Sequence, residues 1–180
     1  MNAAHLHLVV NHFPIIGLIL GCLVLFTGIL MKSSVVRRVG LSLFLIAGIS
    51  AIPAFSTGEG AEEIAEKSVA MNMCNDKSCV CPPEMIKKME EEREHYIHEH
   101  EEKAEGLMPF MWGIIVLSLI ALFLEWKKKS MALIASLIVL IIGFIAAFFA
   151  REVGTSGGEI SHPEIRKGVV ISASEHEEND

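Results

Sequence analysis

Four stretches of this chain are long and apolar enough to cross a bilayer, and that constrains its fold more than anything else in the sequence. They run over residues 9–31, 39–55, 107–126 and 130–150. A helix needs about 20 apolar residues to span the hydrocarbon core. The second stretch is short and borrows Val35 and Val36, giving a span of 35–55 with Arg37 and Arg38 snorkelling to the surface. Backbone groups in lipid must find partners within the chain, so the spans are helices. With 52% hydrophobic residues and mean hydropathy +0.47, the 180 residues form one all-α integral membrane domain, a four-helix bundle. The segment at 19–22 resembles a lipoprotein cleavage box, but no Lys or Arg precedes the first span and the apolar run continues past Cys22. The span is expected to be retained.

The loops orient the bundle. Lys32, Arg37 and Arg38 follow the first span, and Lys127, Lys128 and Lys129 follow the third. Short basic loops stay cytoplasmic. Both termini, the segment 56–106 and the tail 151–180 are therefore expected outside. Those two segments carry 14 acidic against 6 basic and 7 acidic against 3 basic residues, so the net charge of −7 lies on the outer side. The basic residues act as anchors, and no patch suited to nucleic acid is present. Within the outer segment, 59–73 reads as a short helix, and 84–105 as a charged helix entering span three, with Gly106 and Pro109 as a bend.

The two halves resemble each other. His5-Leu6-His7 and His98-Glu99-His100 precede spans one and three, Pro14 and Pro109 lie early in them, and Lys32 and Lys127 close them. Spans two and four end in Thr57-Gly58-Glu59-Gly60 and Gly154-Thr155-Ser156-Gly157-Gly158-Glu159. This order reads as a duplicated helical hairpin with parallel repeats. Gly17 with Gly21, and Gly143, Ala146, Ala147 and Ala150, form small faces for close helix packing.

All eight histidines fall on the expected outer side. His5 and His12 are two helical turns apart and share a face. His12 starts an apolar span, a depth at which an ionisable group is expected to face the bundle interior. His100 lies nearer the membrane than His95 or His98. Gly157-Gly158 reads as a turn that folds the chain back and carries His162 to the bundle mouth. His176 sits in a polar tail. Two chemistries suit this set. A b-type haem needs neutral imidazoles from opposed helices and an apolar slot, for which Phe13, Met108, Phe110, Met111 and Trp112 are candidates. A zinc, copper or iron ion could instead use His12, His100, His162 and Glu159, the last two in a Glu-x-x-His spacing. Cys74, Cys79 and Cys81 lie in the outer loop as C-x4-C-x-C, which lacks the pattern for covalent haem attachment. One disulfide in an oxidising compartment is the leading reading.

The segments His5-Leu6-His7-Leu8-Val9-Val10-Asn11-His12-Phe13-Pro14-Ile15, Thr57-Gly58-Glu59-Gly60-Ala61-Glu62-Glu63, His100-Glu101-Glu102-Lys103-Ala104 and Gly157-Gly158-Glu159-Ile160-Ser161-His162-Pro163-Glu164-Ile165-Arg166 resemble a bacterial four-helix membrane family. It is catalogued as domain of unknown function 2231. The Cys-bearing loop departs from its pattern. Some members are joined to Rieske or c-type cytochrome domains, which implies electron transfer. The resemblance points to His5, His7, His12, His100 and His162. The resulting expectation is a haem b redox module of the bacterial inner membrane, with His12 and His100 as axial ligands. Electrons would pass between quinol and an extracytoplasmic carrier. A non-haem metal protein and a non-redox membrane scaffold are the alternatives.

Overall fold

The computed structural model describes residues 3–58, 83–162 and Arg166. Among them are five helices: α1 (Ala3–Val10), α2 (His12–Leu30), α3 (Ser34–Ser56), α4 (Pro83–Trp126) and α5 (Ala132–Ser161). Four segments are long and apolar enough to cross a membrane: His5–Leu30, which includes most of α1, Ser34–Ser56, Glu90–Trp126 and Ala132–Ile160. The proposed helix at 59–73, the cysteines Cys74, Cys79 and Cys81, and His176 lie outside the described residues.

The break between α1 and α2 has a local cause. Pro14 has no N–H to offer the Val10 carbonyl, and the chain turns at Asn11. Pro109 does not end α4, which continues as one helix through Gly106. At about 1.5 Å per residue its 44 residues reach roughly 66 Å, twice a bilayer core, so its charged N-terminal half must project beyond the apolar zone.

α2 and α3 form one antiparallel hairpin, α4 and α5 a second. The hairpins join side by side, α3 against α4 and α2 against α5, so the helices follow chain order around a square. Both hairpin turns use the same device. Lys32 and Lys128 adopt left-handed backbones (φ 54° and 50°). The next amide in each turn, Ser33 or Lys129, donates back to Gly28 or Leu124 at 3.0 Å. This Schellman closure usually takes glycine. Ser33 then caps α3 by accepting from the Val36 amide.

Burial recurs along the chain at fixed intervals. Pro14, Leu18, Gly21, Leu25 and Gly28 are buried on α2, and the residues 93 positions on, Leu107, Met111, Ile114, Ser118 and Ala121, are buried on α4. Gly40, Leu41, Phe44, Ala47 and Ala51 on α3 are matched 99 positions on by Val139, Leu140, Gly143, Ala146 and Ala150 on α5. Pro14 thus aligns with Leu107 and not with Pro109, which is exposed.

Glycines bring the helices close. A Cβ on Gly40 would lie 2.6 Å from the Leu25 amide nitrogen, and one on Gly28 would lie 2.6 Å from that of Arg37. At the centre, the fully buried Phe44 ring fills the space left by two glycines. A Cβ on Gly21 would meet its face at 3.1 Å, and one on Gly143 would run into its edge.

Arg37 does not snorkel. Its guanidinium turns inward and makes a two-pronged ion pair with Glu125, with Nη2 donating to Oε2 at 3.2 Å. Only 12% and 3% of the two side chains are exposed. Glu125 lies beyond the stretch of α4 that matches α2, where α4 continues for about another turn. The pair ties the hairpins together at the basic end of the bundle.

Candidate functional site

Among the described residues, two histidines, His7 and His100, turn inward at the opposite end. Seven residues, two helical turns, separate His7 from buried Pro14 and His100 from buried Leu107, so both rings continue the packed faces of α2 and α4. His7 Nδ1 lies 3.0 Å from the Ala54 carbonyl and 3.2 Å from Thr57 Oγ1. His100 Nδ1 lies 3.0 Å from Ser156 Oγ.

The two arrangements are built alike. Thr57 Oγ1 donates to the carbonyls of Pro53 (2.8 Å) or Ala54 (3.2 Å). Ser156 Oγ donates to those of Glu152 (3.1 Å) or Val153 (3.0 Å). Each hydroxyl spends its one hydrogen on its own helix and meets the imidazole as an acceptor. The Ala54 carbonyl can only accept, so Nδ1 is the donor in His7; in His100 the same role follows from a Ser156 hydroxyl that already donates to its own helix, and each neutral imidazole then carries its lone pair on Nε2. This is the tautomer of an imidazole held ready to ligate through Nε2, with its other nitrogen fixed by a protein acceptor.

Each half of the chain therefore brings one clamped imidazole to the same end of the bundle, His7 on α1 against α3 and His100 on α4 against α5. A Cβ on Gly157 would lie 3.1 Å from His100 Cε1, whereas one on Gly58 would lie 3.8 Å from His7 Cε1. Glycine at 157 is what lets α5 pass so close to the His100 ring.

The other predicted positions fall elsewhere. His12 is exposed, not turned into the bundle as its depth suggested. It precedes buried Pro14 by two residues, about 200° around a helix, which puts it on the opposite face. His5 is exposed too, as the two-turn spacing from His12 requires. Gly157-Gly158 is not a turn: α5 runs through both to Ser161, and His162 caps the helix with an exposed side chain, its N–H donating to the Gly158 carbonyl at 2.8 Å. Glu159 is half-buried, and its carbonyl accepts from Arg166 Nε at 2.9 Å. Among the described residues, no three His, Cys, Asp or Glu side chains gather closely enough to hold an ion, so His12, His100, His162 and Glu159 are not brought together. Of the apolar candidates, Phe13 and Trp112 face outward, Met111 is in the core, and Met108 and half-buried Phe110 sit between, Phe110 stacked on Phe149 at 5.0 Å.

Thr57 and Ser156 gained no role from sequence alone. Their signal was present: a hydroxyl followed by glycine, Thr57-Gly58 and Ser156-Gly157, at matching ends of spans two and four. Comparison with family models, curated proteins and solved structures finds no match to this chain.

Proposed function

We propose that the protein is a membrane redox module of the bacterial inner membrane that binds haem b through His7 and His100. The observation that carries this reading is the pair of imidazoles whose Nδ1 atoms are both committed to protein acceptors, which directs both Nε2 lone pairs to ligation. Two imidazoles suit haem iron, because the porphyrin supplies four further donors. A bare zinc, copper or iron ion usually takes three or four protein ligands. His7, and not the exposed His12, would hold the haem together with His100. Haem, when bound, supplies one-electron chemistry. The chain's own groups fix the rings: the Ala54 carbonyl and the Thr57 and Ser156 hydroxyls hold the tautomer and resist ring rotation.

The short basic loops support a cytoplasmic side for the Lys32 and Lys128 turns and an outer side for the histidine end. The burial intervals of 93 and 99 residues, the paired Schellman turns and the paired imidazole clamps support descent from one duplicated hairpin. A site at the outer mouth suits electron passage from quinol to an extracytoplasmic carrier such as a c-type cytochrome or Rieske protein.

The test is the visible spectrum of protein purified after expression with ample haem. A Soret band with low-spin character is expected, lost in His100→Ala and in His7→Ala but retained in His12→Ala. Stoichiometric metal without porphyrin would replace haem with a metal ion, and neither metal nor haem would leave a scaffold.

A further inference from the structure

The basic end carries a second concavity that the redox reading does not use. It is a cavity of about 480 Å³ at the seam between the hairpins, lined on one side by Ser34, Arg37 and Arg38 of α3. The turn that joins α4 to α5 lines the other side, with Lys128, Lys129 and Ser130.

Its charge is positive on balance. Glu125 is the only carboxylate in the lining, and it is consumed by Arg37 through both oxygens. Arg38, Lys128 and Lys129 are left to set the potential. Arg38 is folded back along its own helix, its Nε donating to the Ser34 carbonyl at 3.2 Å, which holds the guanidinium at the wall. The left-handed Lys128 backbone fixes the turn that presents both lysines. Ser34 and Ser130 add hydroxyl donors. Guanidinium, ammonium and hydroxyl groups converging on one hollow suit a phosphate oxyanion.

The same lining has an apolar side. Trp126 and Leu133 are 69% and 43% exposed, on helices long and apolar enough to cross a membrane. A ligand filling the pocket would meet cations at its head and an indole and an aliphatic side chain at its flank. That is the chemistry of an amphiphile with an anionic phosphate.

We propose that this pocket binds a phosphate group, and that its occupant is the headgroup of an acidic phospholipid in the leaflet at the basic end. Such a lipid bridges the two hairpins beside the Arg37–Glu125 pair. Cations that merely anchor helices in the interface act through the general surface potential, and any of them would serve equally. A built pocket distinguishes its own lysines and arginines from others at the same end.

Lys32 and Lys127 supply that comparison, because both lie at the basic end and neither lines the pocket. The experiment is native mass spectrometry of the delipidated full chain in detergent, titrated with phosphatidylglycerol or phosphatidylcholine. Wild-type protein is expected to retain phosphatidylglycerol preferentially. Arg38→Gln/Lys128→Gln should weaken that retention about tenfold or more, and the charge-matched Lys32→Gln/Lys127→Gln should change it less than about threefold. Lys129→Gln alone serves if the first double variant does not fold. Equal retention of the two lipids, or equal loss in the two double variants, overturns the proposal. Displacement of phosphatidylglycerol by millimolar inorganic phosphate assigns the pocket to a soluble anion and overturns the lipid occupant.

Discussion

Consider the Arg37–Glu125 ion pair with one charge removed. Glu125→Gln leaves a guanidinium with an eighth of its side chain in contact with solvent, facing a neutral amide. Arg37→Met leaves a carboxylate that is 3% exposed and has lost the guanidinium that pairs with both its oxygens. Breaking a buried pair costs about 3–5 kcal/mol, because the surviving charge stays desolvated. Arg37 sits near a helix end and can reach water by changing rotamer, so Glu125→Gln should cost less, about 2–3 kcal/mol. Arg37→Met should cost the full 3–5 kcal/mol, since the Glu125 backbone lies inside the seam. Replacing both, Arg37→Met with Glu125→Leu, removes the desolvation problem with the attraction and should fall within about 1 kcal/mol of wild type. The assay is reversible unfolding in mixed micelles at neutral pH, followed by circular dichroism, for the four proteins of the cycle. The coupling between the two positions should be several kcal/mol in favour of the native pair. Single variants that each cost less than about 1 kcal/mol, or a double variant that costs the sum of the singles, would refute the reasoning.

Other expectations can be checked in the same system. Gly40→Ala forces a methyl to within 2.6 Å of backbone and should destabilise the first hairpin by about 1–3 kcal/mol, whereas Gly113→Ala, with nothing within 4 Å, should be neutral or stabilising by up to about 1 kcal/mol. Lys32→Gly should stabilise the protein by about 1 kcal/mol by removing a left-handed non-glycine residue, measured as a rise in thermal midpoint. Gly157→Ala should shift the imidazole resonances of His100 in the NMR spectrum and leave those of His7 alone; Gly58→Ala, whose Cβ finds only an ordinary contact at 3.8 Å, should move neither. Ser156→Ala should leave His100 with one acceptor fewer and broaden its ring signals. Unchanged lines would mean the hydroxyl does not fix the ring.

The four spans were open to reading because bilayer thickness acts on length and apolarity alone, and both are plain in the sequence. Direction around each helix was harder. His12 stands deeper in its apolar stretch than His7, and depth suggested an inward ring. Direction instead follows from counting back from buried Pro14: seven residues return to the same face and two reach the opposite one. Gly157-Gly158 illustrates a second difficulty. A glycine pair reads as a turn when its neighbour is unknown, and His100, which needs the missing Cβ, is more than 50 residues away in sequence. Arg37 and Glu125, 88 residues apart, posed the same problem: each looks like an interfacial charge until the seam brings them together. The repeat of hydroxyl and histidine positions was visible, but the hydrogen bonds that join them depend on how α1 lies on α3 and α4 on α5.

Phe44 and Gly143 occupy matching places in the two hairpins, and the ring of one rests where the other has no side chain. Near a centre shared by two like halves, one bulky ring fits and two do not. Two copies of the first hairpin would bring ring against ring, and two copies of the second would leave a hole. The arrangement therefore does more than fill the core. It makes each hairpin the preferred partner of the other and discourages either from assembling with its own kind, so the order of the halves is written into the interior as well as into the chain.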